Sequence, residues 1–300
     1  KYSGMQNRYA PGDITVGEFK LLINKAISTY EKSKVEYAKR PDDTLKTKGE
    51  YTPEEWKKYT DSVIDKKLKK SPKEVFIDAI KDRITTGVKI QNTPALVDMA
   101  EKSGMVIGFD YISPKELYDM ASLALNKHIY ESGERFNPSN KTPEEAKQIV
   151  QDLIKLQELL PTETQRSATQ VDLQQYSTPP ALSFLVNWIA EVNKKDSVLE
   201  PSAGEGNIAI FAKAAGAKVF VNEWDKNRAD LLKQLDFERV TKEDAKILHG
   251  AQALQDVKIT TVVMNPPFSR DVALGGKLDL HGAEKHMDAA LSKLEPGGRL

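Results

Sequence analysis

The chain is predicted to fold as a doubly wound α/β domain preceded by an all-α domain, and two observations carry that expectation. Within residues 197–268, short apolar runs end one after another in polar, glycine or proline turns: Val198-Leu199 before Glu200-Pro201-Ser202-Ala203-Gly204-Glu205-Gly206-Asn207, Val219-Phe220-Val221-Asn222 before Glu223-Trp224, and 259–264 before Asn265-Pro266-Pro267-Phe268. An open parallel sheet gathers such turns at its carboxyl edge, where its ligands bind. Upstream, four segments share the pattern Ser/Thr-Pro-x-Glu, which places a hydroxyl at the N-cap, proline at the first helical position and glutamate within reach of the cap amide. The stretch 161–167 reads as the linker, dividing a helical domain over residues 1–165 from an α/β domain over 166–300.

The helix starts are Thr52-Pro53-Glu54-Glu55, Ser71-Pro72-Lys73-Glu74, Ser113-Pro114-Lys115-Glu116 and Thr142-Pro143-Glu144-Glu145, with Thr93-Pro94 opening a fifth helix without the glutamate. Their spacing is uneven, so no repeat is read. Proline-directed phosphorylation is the alternative to simple capping. Lys57, Lys58, Lys66, Lys67, Lys69, Lys70 and Lys73 are interrupted by Asp61, Asp65 and Glu74. This cluster reads as a solvated helix face rather than a phosphate-binding surface.

Beyond the linker, 172–180 is a polar loop and 181–192 has helical periodicity. Val198-Leu199 is a short strand that Pro201 stops. Gly204 and Gly206 let the backbone approach a ligand, and 208–215 reads as a helix ended by Gly216. Gly204-x-Gly206-x-x-Ala209 also satisfies a relaxed dinucleotide fingerprint. After the Asn265-Pro266-Pro267-Phe268 turn, 282–294 is a helix and 295–300 begins another strand, so the α/β domain is expected to be incomplete at its C-terminus and the chain a fragment of a longer protein.

Composition narrows the chemistry. Lysine and arginine number 44, aspartate and glutamate 44, so the net charge is zero and any nucleic-acid contact must draw on local patches. No cysteine is present, which excludes disulfides and thiolate metal sites. The four histidines, His128, His249, His281 and His286, show no ligand spacing. No long apolar run and no signal peptide is legible, and the expectation is a cytoplasmic protein without membrane contact.

Three motifs in order give the chain a resemblance to a known family. Gln175-Tyr176-Ser177-Thr178-Pro179-Pro180, Glu200-Pro201-Ser202-Ala203-Gly204-Glu205-Gly206 and Asn265-Pro266-Pro267-Phe268 resemble the class I methyltransferases that use S-adenosylmethionine (AdoMet), and among them the adenine-specific DNA enzymes. The resemblance covers residues 172–300. It implies a Rossmann-like methyltransferase fold and AdoMet as cofactor. Tyr176 and Thr178 would fold over the methionine part, and Glu200 would bind its amino-acid group. Pro201, Ala203, Gly204, Gly206 and Asn207 would form the loop under it, and Glu223 would accept the ribose hydroxyls. Trp224 would stack on the cofactor's adenine, with a partly buried aromatic as the alternative. Asp244 would accept from the adenine amino group, with Asp236 as competitor.

By the same resemblance Asn265 and the Pro266 carbonyl would bind the target amine, Pro267 would stiffen the turn and Phe268 would stack on the target base. The implied partner is adenine-containing duplex DNA, within a restriction-modification system or the methylase part of a phage or plasmid methylase-helicase protein. Similar turns serve enzymes that methylate amino or amide nitrogens of RNA or protein. A non-catalytic module that binds AdoMet or DNA is the reading from another class.

Overall fold

The computed structural model describes residues 52, 54, 70–108, 112–162, 177–266, 270–271, 277–278 and 282–300. Most of the helix start expected at Thr52 and the lysines from Lys57 to Lys69 lie outside them. The chain divides into two compact units, Lys1–Ser71 and Pro72–Leu300, and the second carries the fold described below.

Four helices open it: α1 (Pro72–Thr85), α2 (Thr93–Lys102), α3 (Pro114–Glu131) and α4 (Pro143–Gln157). Ser113 and Thr142 each form a complete capping box, with Glu116 and Glu145 reaching back to the cap amide. A cap of this kind is worth ~1 kcal/mol. The fifth start differs in detail. Asn92, not Thr93, caps α2 by accepting from the Ala95 amide at 3.0 Å, while the Thr93 hydroxyl bonds that of Tyr118 at 2.7 Å. Asn is the better cap, and the threonine one residue later is released for a tertiary contact.

The remaining elements alternate: α5 (Pro180–Ile189), β1 (Ser197–Glu200), α6 (Ala209–Ala214), β2 (Lys218–Asn222), α7 (Lys226–Leu232), β3 (Arg239–Thr241), β4 (Ile259–Val262), a short hairpin of β5 (Arg270–Asp271) and β6 (Lys277–Leu278), α8 (Gly282–Leu291) and β7 (Leu294–Arg299). Five strands form one sheet in the order β3-β2-β1-β4-β7, and every pairing in it is parallel. Successive residues of one strand point to opposite faces, and here they enter two different cores. Val198, Val219 and Val221 join the cluster that holds Phe184, Ile210 and Phe211. Leu199, Phe220 and Val262 join Leu248, Leu254, Ala289 and Ala290 on the other face. Apolar cover on both faces makes this a doubly wound α/β sheet.

The linker expected at 161–167 lies, apart from residues 161 and 162, outside the described residues. Phe76, Ile80, Leu117, Leu123 and Leu153, from α1, α3 and α4, belong to the same continuous core as Val198 and Phe211, and α3 packs on α6 and α7. The helix α4 packs on α5, while α1 and α2 pack on α3 and on each other, so α3 and α4 cover one face of the α/β layer and α1 and α2 lie behind α3.

Candidate functional site

The strand order reverses between β1 and β4. At such a switch point the connections leave in opposite directions and open a crevice beyond the carboxyl ends of the strands. The glycine loop 201–208 follows β1, and Asn265 follows β4 by three residues.

The glycine loop is fixed from several sides. Gly204 and Gly206 have φ of +57° and +86°, which L side chains rarely adopt. A Cβ on Gly206 would stand 2.9 Å from Leu232 Cδ2, whereas one on Gly204 would meet only Arg228 Nη1, at 3.8 Å. Glu200 is buried, and its Oε2 accepts the Ala209 amide at 2.7 Å, at the start of α6. Burial pushes this carboxyl well above the usual range, against that bond, and Glu223 and Glu205 add to the shift. The Ala203 amide donates to the Asn222 carbonyl at 2.9 Å.

The second strand contributes Glu223 and Trp224. Glu223 Oε2 accepts the Gly204 amide at 2.7 Å and its Oε1 the Asp225 amide at 2.8 Å, so the carboxylate lies directly beside the glycine loop. Burial raises its pKa despite these bonds and the nearby Arg228. Trp224 is half exposed. Asp244 follows β3, its Oδ1 accepting the Lys246 amide at 3.0 Å. Asp236 comes before β3 with a left-handed backbone and pairs with Lys213. Asp244 is therefore at the carboxyl edge of the sheet and Asp236 at the opposite edge.

After β4, Asn265 is exposed and Pro266 buried. Asn265 Nδ2 donates to Thr178 Oγ1 at 3.0 Å. Two of the three motifs, 87 positions apart, thus meet through side chains. Tyr176, Pro267 and Phe268 lie outside the described residues.

Sequence reasoning missed two sets of residues. Asn222, the last residue of β2, is buried and uses its whole carboxamide: Nδ2 donates to the carbonyls of Pro201 (3.0 Å) and Glu243 (2.8 Å), and Oδ1 accepts from Thr241 Oγ1 (2.7 Å) and the Glu243 amide (2.8 Å). It ties together the turns after β1, β2 and β3. The second set is a polar stripe on α3, Lys115, Asp119, Ser122 and Asn126, whose spacing puts all four on one helix face. That spacing was legible, but its target was not.

Asn126 Nδ2 donates to the Glu205 carbonyl at 3.0 Å and to Asn207 Oδ1 at 2.7 Å, and Ser122 Oγ donates to the same oxygen at 2.9 Å. Asp119 is paired with Lys115 at 2.8 Å and with the buried Arg228 at 3.1 Å. Arg228 also lies 2.8 Å from Glu205 Oε1, and Glu205 Oε2 accepts from Ser177 Oγ at 2.7 Å. Burial works to raise Asp119, yet Arg228 and Lys115 hold it below the ordinary carboxylate value. Glu205 goes the other way: burial, aided by the Asp119 carboxylate and only partly offset by Arg228, pushes it up to about 8.

The crevice therefore offers paired acceptors at Glu223, a half-exposed indole, a loop open to close backbone approach, and a carboxamide on the far side. These groups can accept hydrogen bonds from hydroxyls or an amine and offer a face to a flat ring. Among the described residues no group of His, Asp and Glu is placed to hold a metal ion, and no helix is long and apolar enough to cross a membrane.

No family model matches the chain, and no curated protein matches it. Among solved structures it is similar to PH1948 of Pyrococcus horikoshii, described as an RNA methyltransferase, at 23% identity and a TM-score of 0.36 over 51% of this chain and 69% of that one. It is also similar to TrmN from Thermus thermophilus, at 19% identity and 0.34 over 53% and 55%, and to a protein-L-isoaspartate O-methyltransferase, at 13% and 0.33 over 69% and 53%. The chain spans little more than half of the latter two. These likenesses are low, and the fold assignment rests on the strand order and the two cores.

Proposed function

We propose that the chain transfers a methyl group from AdoMet to the exocyclic amino group of adenine in DNA. The observation that carries this reading is the convergence, where the strand order reverses, of the Gly204/Gly206 loop, the Glu223 carboxylate and an Asn265 carboxamide held by Thr178.

The residues present fit AdoMet. Each Glu223 oxygen accepts one backbone N–H, and a carboxylate oxygen has room for a second donor, which suits two ribose hydroxyls. Trp224 offers a face for the cofactor's adenine, and Asp244 an acceptor for its amino group. Gly204, with nothing but Arg228 near the place of a side chain, lets the ligand pass close to the backbone. When bound, AdoMet supplies a methyl group already activated on a sulfonium.

The chain's own residues then have to aim the acceptor. An aromatic amine is a poor nucleophile because its lone pair is shared with the ring. Hydrogen bonds from its two hydrogens to Asn265 Oδ1 and the Pro266 carbonyl shift the nitrogen toward tetrahedral geometry and point the lone pair at the methyl. Orientation of this kind can supply ~7 to 11 kcal/mol. Phe268 stacks on the target base, which must first leave the duplex at a cost of a few kcal/mol. The partner in this reading is adenine-containing duplex DNA, together with a fused or separate recognition or helicase region.

Transfer of labelled methyl from AdoMet to unmethylated DNA, RNA and protein tests the reading, with Asn265→Ala as control. Label in DNA that digests to methylated adenine and vanishes in the variant is the expected result. Label in RNA or protein would replace the substrate. AdoMet binding without transfer to any of them would favour a non-catalytic module.

A further inference from the structure

Thr178 is followed by two prolines and opens α5, and its hydroxyl faces Asn265 across the crevice. The geometry behind it runs back to α3 without a break. Asn207 Oδ1 receives two donors, Asn126 Nδ2 and Ser122 Oγ. With its oxygen engaged there, the Asn207 amide points the other way, and its Nδ2 donates to the Thr178 carbonyl at 3.0 Å. Ser183 Oγ reaches the same carbonyl at 3.4 Å. Thr178 is thus fixed through its backbone by a buried asparagine, and its Oγ1 accepts from Asn265 Nδ2 at 3.0 Å.

We infer that Thr178 is a positioning residue for the transfer step, its hydroxyl holding the Asn265 carboxamide in place through Nδ2, which leaves Oδ1 for the substrate amine. The inference deepens the amino-methylation reading given above and rests on it. A primary amide has one end that donates and one that accepts. Two carboxamide orientations related by a half-turn occupy nearly the same volume, and only one can accept a hydrogen from an amine. In the other, two N–H donors face two N–H donors. With Nδ2 engaged at Thr178, the carboxamide is held in the competent orientation, with Oδ1 left for the amine. Asn126, Ser122 and Asn207 set the place of Thr178, so α3 acts on the catalytic turn through three hydrogen bonds without touching the crevice.

Two variants separate this role from a cofactor contact or a purely structural one. Thr178→Val removes the hydroxyl at nearly constant volume, and Thr178→Ser keeps it. Both are compared with the wild-type chain for AdoMet affinity, for kcat of methyl transfer, and for the side-chain amide signal of Asn265 in NMR, identified by its loss in Asn265→Ala. The valine variant is expected to lower kcat by ~10- to 100-fold with AdoMet affinity changed by less than about twofold, and the serine variant to restore most of the rate. The Asn265 amide protons should exchange faster with solvent in the valine variant and as in wild type in the serine variant. Weakened AdoMet binding with kcat unchanged would overturn the inference and make the hydroxyl a cofactor contact. An Asn265 signal that the valine substitution does not move would overturn it as well. A wild-type chain that transfers no methyl, with the signal still moved by valine, would overturn the methylation reading and leave the hydrogen bond standing.

Discussion

The two turns that face each other across the crevice are held very differently. The loop after β1 is braced from β2, α3 and α6: Gly204 by Glu223, Glu205 by Arg228 and Ser177, Asn207 by Asn126 and Ser122, and Glu200 by the Ala209 amide. The turn after β4 carries an exposed Asn265 whose side chain is tied to Thr178. The braced side suits a cofactor that must be bound in one pose on every cycle. Among the described residues the Asn265 side chain is held at Nδ2 by Thr178, which leaves Oδ1 for a substrate that has to enter and leave.

Four measurements would break or sharpen that contrast. Asn265→Ala should cost the most in activity and the least in stability. Loss of one charge-stabilising or orienting group in an active site typically lowers kcat by ~100- to 1,000-fold, and the side chain is exposed, so urea unfolding should barely change. A large loss of stability would mean that the turn is as structural as the loop.

Asn222→Leu should do the reverse. It leaves the buried Pro201 carbonyl and the carbonyl and amide of Glu243 without this partner, while the Thr241 hydroxyl keeps the Val221 carbonyl, and at ~1 to 3 kcal/mol per unsatisfied group the expected loss is at least about 3 kcal/mol by chemical denaturation. AdoMet affinity should fall with it, because three strand-end turns lose their common tie.

Gly206→Ala should destabilise by ~1 to 3 kcal/mol, the cost of a side chain at a positive φ, with Leu232 Cδ2 2.9 Å from the new methyl. Isothermal titration should show weaker AdoMet binding. An unaffected affinity would show that the loop can yield, and the contrast with the Asn265 turn would disappear.

The last measurement concerns pH. Glu205 is raised from an ordinary 4.5 to about 8 in the folded chain. A carboxyl that binds its proton more tightly when folded contributes stability that is present below about 4.5 and is lost as pH rises toward 8. The wild-type stability should therefore fall between pH 5 and pH 8. Glu205→Gln, which is neutral throughout, should make that fall shallower, measured as urea midpoints at the two pH values. Asp119, held low, titrates below this window and should not contribute to it.

The sequence by itself determined what depends on neighbours in the chain. The Ser113 and Thr142 capping boxes, the strand end at Glu200, and the glycines at positive φ follow from local chemistry, and each was legible as a short pattern, whereas the second strand, expected to end at Glu223, ends one residue earlier. The order of those turns was also enough to expect a doubly wound sheet, because parallel strands joined through helices leave few arrangements. Only the tertiary structure decided which side chains meet. Asp119 and Arg228 are 109 positions apart, Asn126 and Asn207 81, Thr178 and Asn265 87. Nothing in residues 114–131 says that the polar stripe of that helix would turn toward a glycine loop rather than toward water. That was settled by burial: α3 shares its apolar face with one side of the sheet, and once it is packed there, Asp119 and Asn126 lose their solvent and must find partners in the loop. The same burial made α3 part of the site.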